Sequence, residues 1–157
     1  MHMSTIIRPE NIILGLSAPN KFRLLQALAA KAAPRLDVSA EVISKALEHR
    51  ESLGSTGIGD GIAVPHATIA GISEIFTLMV RLDKPMEFEA IDDVPVDLLF
   101  LMLVPEQAKG DYLKMLASIA RTMRVDGMLK SIRNARSSDE VFIALTTEPV
   151  GILPIHA

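Results

Sequence analysis

Two stretches in the first third of the chain carry apolar residues at every third or fourth position, the spacing of one face of an amphipathic helix. We place the first helix after Ser17, a good N-cap, with Pro19 in its first turn and Pro34 as its end. The second helix is predicted from Ser39 to about Leu53, because Ser39 is a second N-cap and a glycine follows Leu53.

Short apolar segments that are too brief for helices predict four strands: Asn11–Leu16, Gly61–Val64, Ile75–Leu82 and Val96–Val104. The last of them is apolar almost throughout, which is typical of a central strand covered on both faces. Turns rich in proline and aspartate separate the last two strands.

Three further helices are predicted over about 110–124, 126–135 and 138–147, and Ser137–Glu140 is a capping box for the last of them. Helices before and after a group of strands indicate an α/β fold, with a mixed sheet covered by helices on both faces. Because helices do not alternate regularly with the strands, we do not expect a uniform doubly wound sheet.

Composition limits the class of protein. A chain of 157 residues suits one domain, and we predict a core over about 8–147 followed by an irregular tail over 148–157. The chain is 49% hydrophobic but only 4% aromatic, so the core is predicted to be mostly aliphatic. The net charge of −3 argues against a broad surface for nucleic acid, which needs a basic excess.

The predicted compartment is the cytoplasm. The chain has no cysteine, which excludes disulfides, zinc–thiolate sites and cysteine nucleophiles and is compatible with a reducing compartment. No cleavable signal peptide is visible at the start. The longest apolar run, Leu98–Pro105, is far shorter than the roughly 20 residues that a membrane helix needs. We therefore expect no direct membrane insertion.

The segment Gly54–His66 carries the most chemical information. It combines four glycines with a serine and a threonine, and it ends on a histidine preceded by proline. Glycine lets backbone N–H groups approach a ligand closely, and successive N–H groups form anion sites. Imidazole gains or loses charge most readily near neutral pH. The first hypothesis is therefore a phosphate held beside His66.

Each candidate also has a structural interpretation. A lone histidine at a strand end is often a turn cap, and Arg50, just before the glycines, is equally a solvated helix-end cation. As functional groups, His66 would be a nucleophile and Arg50 a bidentate clamp on phosphate oxygens. We interpret His49 as a surface or helix-end residue and His156 as dispensable.

Other chemistries fit the sequence poorly. The glycines match neither the Rossmann nor the Walker spacing, and Ser55 is not in a nucleophile elbow. Asp92, Asp93 and Asp97 flank prolines at a strand entrance, where a solvated turn is favoured over a metal site. We predict no metal and no cofactor.

The stretch Arg50–His66 resembles the active-site signature of enzyme IIA domains of the fructose/mannitol class, in the bacterial phosphoenolpyruvate-dependent phosphotransferase system. Its motif Gly-Ser-Thr-Gly-Ile-Gly is similar to the sequences of the nitrogen-related branch, and so are the segments Pro95–Phe100 and Leu103–Glu106. The resemblance spans roughly residues 8–147. It implies a three-layer α/β sandwich with a mixed central sheet, the type-2 enzyme IIA fold.

The same resemblance implies a phosphohistidine carrier. His66 matches the histidine that accepts the phosphoryl group through Nε2, and the donor in this family is a small HPr-like carrier protein. Arg50 matches the arginine that supports the site. The matching loop suggests phosphoryl-binding roles for four of its residues, Ser55, Thr56, Gly57 and Gly59.

One position departs from the family pattern. Where members commonly carry a second histidine, the segment reads Asp111-Tyr112-Leu113. A phenol can donate one hydrogen bond to a phosphoryl oxygen but brings no positive charge at neutral pH. We favour transfer with a weaker hold on the phosphoryl group, in which Tyr112 is a phosphoryl-binding residue, because His66 and Arg50 are both present. The alternatives are drift towards pure protein binding and simple packing of the Tyr112 ring.

Three functions follow from the resemblance. The first is a regulatory phosphocarrier, whose partners in this branch include potassium transporters and sensor kinases. The second is a sugar-specific enzyme IIA that passes phosphate to a IIB domain. The third is a binding module that is not phosphorylated. For any protein partner, we expect Ile58, Ile62 and Ile69 to form an apolar docking rim.

Overall fold

The computed structural model describes residues 2–147, so the predicted irregular tail over 148–157 lies outside the described residues. Within residues 2–147 the chain forms six strands and six α-helices. The strands are β1 (Ile12–Leu16), β2 (Gly57–Gly59), β3 (Ile62–Ala63), β4 (His66–Ile69), β5 (Phe76–Met86) and β6 (Val96–Pro105). The helices are α1 (Met3–Ile6), α2 (Lys21–Leu36), α3 (Ala40–Ser52), α4 (Lys109–Met123), α5 (Met128–Asn134) and α6 (Ser138–Thr146).

Strand β6 is the centre of one mixed sheet. The strands lie in the order β1-β5-β6-β3-β2, and β4 follows β3 along the same edge of β6. β5 pairs with β6 antiparallel, whereas β3 and β4 both run parallel to β6. This arrangement confirms the mixed sheet and the predicted central place of the most apolar strand.

Side chains alternate across β6 into two separate cores, because successive residues of a strand point to opposite faces. Leu99, Leu101 and Leu103 pack with α2 and α3 on one face. The other face receives Leu98 and Phe100 among the side chains of α1, α4, α5 and α6. Helices on both faces of the sheet confirm the three-layer sandwich. Within residues 2–147 no helix combines the length and hydropathy of a bilayer span.

The first long helix differs from its prediction at both ends. It begins at Lys21 after Asn20, whose side chain accepts the Arg23 N–H, whereas the Ser17 hydroxyl donates to Asp83. Pro34 lies inside the helix, which continues to Leu36. A proline in the last turn removes only one helical hydrogen bond. The helix continues past Pro34 because its apolar face packs in the core against the sheet.

The sequence analysis did not predict two short strands, β2 and β4. Both lie on the side of β6 opposite β5. β2 and β4 contain three and four residues, and β2 is mostly glycine. Such segments show too few alternating positions for a pattern to be read. Their pairing to β3 and β6 therefore comes from tertiary structure.

Asp97 was expected in a solvated turn, but the structure places it in an ion pair. Arg133 of α5 donates from Nε and Nη2 to the two carboxylate oxygens of Asp97, at 2.9 Å each, and Nη2 also reaches the Asp60 carbonyl at 2.6 Å. Asp92 does lie in the exposed turn, where it accepts the Asp60 and Val94 N–H groups. The Arg133 pair thereby fixes the turn that leads into β3.

Gly61 is held in this turn by two constraints at once. Its φ is +80°, and a Cβ built on it would lie 2.5 Å from Arg133 Nη2 and 2.9 Å from Asp97 Oδ1. Gly71 offers a matched case, because its φ is +88° but a Cβ there would meet nothing within 4 Å.

We expect Gly61→Ala to destabilise the chain by about 1–3 kcal/mol more than Gly71→Ala. Both substitutions place alanine at positive φ, but only the first pushes the Arg133–Asp97 pair apart. Urea unfolding of the two variants measures the difference in the free energy of unfolding. Equal decreases in the free energy of unfolding would show that the Arg133–Asp97 pair accommodates the added Cβ at position 61 without a cost in stability.

Candidate functional site

A break in the edge strand presents His66. β3 ends at Ala63 and β4 begins at His66, with Val64 and Pro65 between them. The Pro65 carbonyl still accepts the Met102 N–H of β6 at 2.9 Å, while the Val64 N–H turns away to the Thr56 carbonyl at 2.9 Å. The chain therefore stays in register with β6 through the break, with Ala63 opposite Leu99 and His66 opposite Met102. His66 is half-buried at this joint.

Two contacts define the protonation of the His66 ring. Nδ1 lies 2.9 Å from the Val64 carbonyl oxygen, which can only accept, so Nδ1 carries the proton. Arg50 Nε lies 3.2 Å from Nε2 and can only donate, so Nε2 carries a lone pair. Both partners select the same neutral tautomer, with Nε2 as the nucleophilic nitrogen.

Arg50 reaches the ring from the last turn of α3. Its Nη1 donates to the Gly54 carbonyl at 2.9 Å, so the side chain is held across the end of its own helix. In residues 2–147 its side chain donates to no carboxylate. The guanidinium therefore keeps an uncompensated positive charge beside Nε2.

Tyr112 packs edge-on against His66. The two ring centroids lie 4.5 Å apart and the ring planes meet at 82°, a T-shaped pair. Tyr112 is half-buried in the first part of α4, across the cleft from α3. The contact restricts the imidazole to one orientation.

These residues border a cleft of about 570 Å³ between α3, β4 and the start of α4. Its lining combines His49, Arg50, His66, Thr68 and Tyr112 with apolar side chains, Ala46, Leu53, Ala67, Val104 and Leu113. His49 is exposed beside Arg50. The cleft thus places Nε2 of His66 and the Arg50 guanidinium in mostly apolar surroundings.

The apolar rim of this cleft is not the predicted one. Ile62 and Ile69 are only 3% and 1% exposed, so the prediction that they form a docking rim is wrong; both point into the cores. Ile58 is exposed, but on β2. Leu53 and Leu113, 71% and 63% exposed, border the cleft instead.

The glycine loop lies outside the cleft lining and is held by its own hydrogen bonds. The Ser55 hydroxyl donates to the Phe88 carbonyl at 2.6 Å and accepts the Gly57 N–H at 3.1 Å. Thr56 is buried, and its hydroxyl and N–H both donate to Glu51, at 2.7 and 2.8 Å. Gly59 adopts a φ of +100° at the end of β2. The structure thus brings His66, Arg50 and Tyr112 together and separates the loop from them.

Sequence reasoning missed Lys21 and Glu51. Lys21 Nζ lies 2.7 Å from Glu51 Oε2, and the Glu51 side chain is only 6% exposed. Lys21 stands in the first turn of α2 and Glu51 in the last turn of α3, where the helix dipoles disfavour their charges. Two charges at unfavourable helix ends are the signal that could have pointed to a pair.

Burial lowers the pKa of His66 below the usual 6.5, and the nearby Arg50 charge lowers it further. The bond to the Val64 carbonyl and the charge of Glu51 act in the opposite direction without cancelling the effect. Because the folded pKa is depressed, this contribution to stability is complete above about pH 6.5 and is lost as the pH falls through the folded pKa. At neutral pH the ring is therefore a neutral nucleophile.

The sequence profile described as "Phosphoenolpyruvate-dependent sugar phosphotransferase system, EIIA 2" matches residues 5–147. The chain belongs to this family of phosphotransfer components, which confirms the resemblance. The mixed sheet covered by helices on both faces agrees with that assignment.

The relatives point to the nitrogen-related branch. The chain is similar to the nitrogen regulatory protein of Bradyrhizobium diazoefficiens, 40% identical over 149 residues that cover 95% of this chain and 97% of the relative. The nitrogen regulatory protein of Pseudomonas aeruginosa is 34% identical, over 90% of this chain and 93% of its own. The crystal structure of nitrogen regulatory protein IIA-Ntr from Neisseria meningitidis superposes with a TM-score of 0.86 at 32% identity, covering 92% of this chain and 99% of that one.

We expect the His66 ring to titrate below pH 6.5 and Arg50→Met to raise its midpoint, because a positive neighbour disfavours the imidazolium. NMR titration of the ring protons measures both values. Arg124→Met, which removes an exposed arginine outside the cleft lining, is the control and should leave the midpoint unchanged. A midpoint that does not move in Arg50→Met would contradict the assigned contact.

Proposed function

We propose that the chain is a regulatory phosphocarrier of the nitrogen-related phosphotransferase system, acting in the cytoplasm. In this proposal His66 accepts a phosphoryl group from an HPr-like carrier protein. The observation that carries it is the tautomer of His66: the Val64 carbonyl holds the Nδ1 proton, which leaves the Nε2 lone pair beside the Arg50 guanidinium.

The transfer step is a displacement at phosphorus. The Nε2 lone pair forms the new N–P bond, and the bond between phosphorus and the donor's histidine nitrogen breaks with its electron pair returning to that nitrogen. The Nδ1 proton stays on its bond to the Val64 carbonyl, so the phosphorylated His66 ring carries one positive charge beside its phosphoryl group. The donor ring, protonated on its other nitrogen, leaves as a neutral imidazole, so no proton has to move during transfer. A reaction of this kind depends mainly on positioning and charge stabilisation.

Arg50 is the proposed stabiliser of the phosphoryl oxygens. Its Nε now occupies the position in front of Nε2, at 3.2 Å, so an incoming phosphoryl group takes over that hydrogen bond. A guanidinium suits this exchange, because it presents several N–H groups in a fixed fork. The Nη1 bond to Gly54 keeps the side chain in place while the Nε contact changes.

The loop residues have weaker support as phosphoryl ligands. Phosphoryl-binding roles for Ser55, Thr56, Gly57 and Gly59 stay predictions, and the bonds of the two hydroxyls to Phe88 and Glu51 favour a role in holding the loop. Tyr112 is the better placed candidate, because its ring contacts His66.

The surroundings of His66 suit a protein donor. Leu53 and Leu113 expose apolar surface on the two sides of the cleft, from the α3 and α4 ends. A carrier docking on both side chains would bring its phosphohistidine to Nε2 and exclude water from the transfer. Phosphorylation then places a phosphoryl group of about −1.5 to −2 charges on a cationic ring in the middle of this surface, which changes what it binds. Regulatory targets, such as a potassium transporter or a sensor kinase, are proposed to sense this change.

A binding module without phosphorylation is the second candidate, because Tyr112 adds no positive charge where the family commonly has a second histidine. A sugar-specific enzyme IIA differs from the first proposal only in the acceptor, a IIB domain. Onward transfer to a IIB domain would favour this sugar-specific function.

We expect the wild-type chain to acquire acid-labile phosphate from phosphoenolpyruvate, enzyme I and an HPr-like protein, and His66→Ala to acquire none. His49→Ala is the matched control, because this second histidine lines the same cleft and should leave labelling intact. Intact-protein mass spectrometry at neutral pH measures the added phosphate. An unlabelled wild-type chain would remove both carrier functions, and a labelled His66→Ala variant would reject His66 as the acceptor.

We also expect Tyr112→His to slow hydrolysis of the phosphorylated chain, and more at pH 6 than at pH 8, because a protonated imidazole adds a second cation. Tyr112→Phe is the control, since it removes the hydroxyl and adds no base. The decay of phosphorylated protein with time measures the lifetime. An unchanged lifetime in Tyr112→His at pH 6 would show that the missing cation is irrelevant.

A further inference from the structure

Lys21 is connected to the candidate site through Glu51, the sequence neighbour of Arg50, although Lys21 belongs to a different helix. It is the first residue of α2, and its Nζ contacts Glu51 at 2.7 Å and the Phe88 carbonyl at 3.3 Å. The ammonium also sits 4.4 Å from the centre of the Phe88 ring, a cation–π distance. Glu89, 3.8 Å away, is largely exposed and adds little. Glu51 and Phe88 therefore provide the main interactions of this ammonium.

Glu51 is the neighbour of Arg50 in sequence but points the other way. Its two oxygens accept from Lys21 Nζ and from the N–H and hydroxyl of Thr56. A carboxylate that is 6% exposed in the last turn of a helix is costly to bury, because both desolvation and the helix dipole oppose it. Lys21 is the cation that compensates this charge.

The compensation matters for Arg50. Without Lys21, the charge of Glu51 would attract the nearest other cation, and Arg50 directly precedes Glu51 at the helix end. A guanidinium drawn to that carboxylate would leave the ring, where it now donates to Nε2. The negative field at His66 would also increase, since Glu51 already acts on this ring.

We propose that Lys21 is a positioning residue of the phosphoryl site: by cancelling the charge of Glu51, it keeps the Arg50 guanidinium on His66 Nε2. The effect on phosphoryl acceptance rests on the proposed function, whereas the effect on the His66 ring does not. Lys21 itself touches neither the ring nor a phosphoryl group and acts only through Glu51 and Arg50.

The test compares Lys21→Met with the double variant Lys21→Met/Glu51→Gln. In Lys21→Met the charge of Glu51 is uncompensated, so the pKa of His66 should rise. In the double variant the amide that replaces the Glu51 carboxylate carries no charge, and its oxygen still accepts one hydrogen bond from Thr56. The midpoint should therefore return to the wild-type value or below. NMR titration of the His66 ring measures this without any partner protein.

Phosphoryl acceptance gives the second measurement. We expect the initial rate of labelling to fall roughly tenfold or more in Lys21→Met, because a displaced guanidinium no longer stabilises the transferring group. The double variant should recover most of the rate. A loss of packing at Lys21 would not be repaired by neutralising Glu51, so recovery of the rate separates the effect of charge from that of packing.

Two further variants serve as controls. Lys21→Arg keeps the charge and should behave as the wild type in the titration. Lys45→Met removes a lysine from an exposed pair with Glu41 and should change neither measurement. Circular dichroism and urea unfolding establish that each variant is folded.

An unchanged His66 midpoint in folded Lys21→Met, or a raised midpoint that the double variant does not restore, would overturn the proposal. If the midpoints behave as expected while no phosphate is acquired even by the wild type, the phosphocarrier function fails and the positioning of Arg50 by Lys21 stands. If labelling in Lys21→Met equals the wild type, the role in phosphoryl transfer is refuted.

Discussion

The hydrogen bond from His66 Nδ1 to the Val64 carbonyl determines what the cleft can do. It fixes the neutral tautomer, and it leaves Nε2 with the lone pair on which the Arg50 contact depends. With the opposite tautomer, two N–H donors would face each other across 3.2 Å and the guanidinium would be repelled. A backbone acceptor two residues away is a rigid choice, because its position follows from the strand rather than from a rotamer.

This acceptor exists because the edge strand is interrupted. Between β3 and β4 the Val64 N–H bonds to Thr56 and Pro65 has no N–H to donate. The Pro65 carbonyl and the strands on both sides of the break stay bonded to β6. β6 can serve as this support because its side chains are buried on both faces. The two cores on the faces of β6 therefore support the break at Val64 and Pro65.

A feature of this fold could be predicted from the sequence when the residues that determine it lie close together along the chain. The central strand, the helix at Ser39 and the last helix follow from apolar runs and caps that lie within a few residues. His66 and Arg50 were found through the glycine segment and the family resemblance. Ile62 and Ile69 were misplaced because a two- or four-residue strand does not show which face it buries. Lys21 and Glu51 are far apart in the sequence and meet only in the fold. Their unfavourable helix-end positions mark each charge as unusual but do not show which charge is its partner.

The charges around His66 also suit a group that is passed on rather than kept. A dianionic phosphoryl group on His66 would face two positive charges, that of the Arg50 guanidinium and that of the ring, which keeps its Nδ1 proton. Tyr112 adds packing without charge, and Lys21 is committed to Glu51. Such a site would hold the phosphoryl group by one guanidinium and one N–P bond. Under the proposed function, the cationic ring is a good leaving group, which keeps the phosphorylated form reactive towards an acceptor. Its dianionic phosphoryl group makes that form electrostatically distinct from the free form, which a regulatory carrier requires.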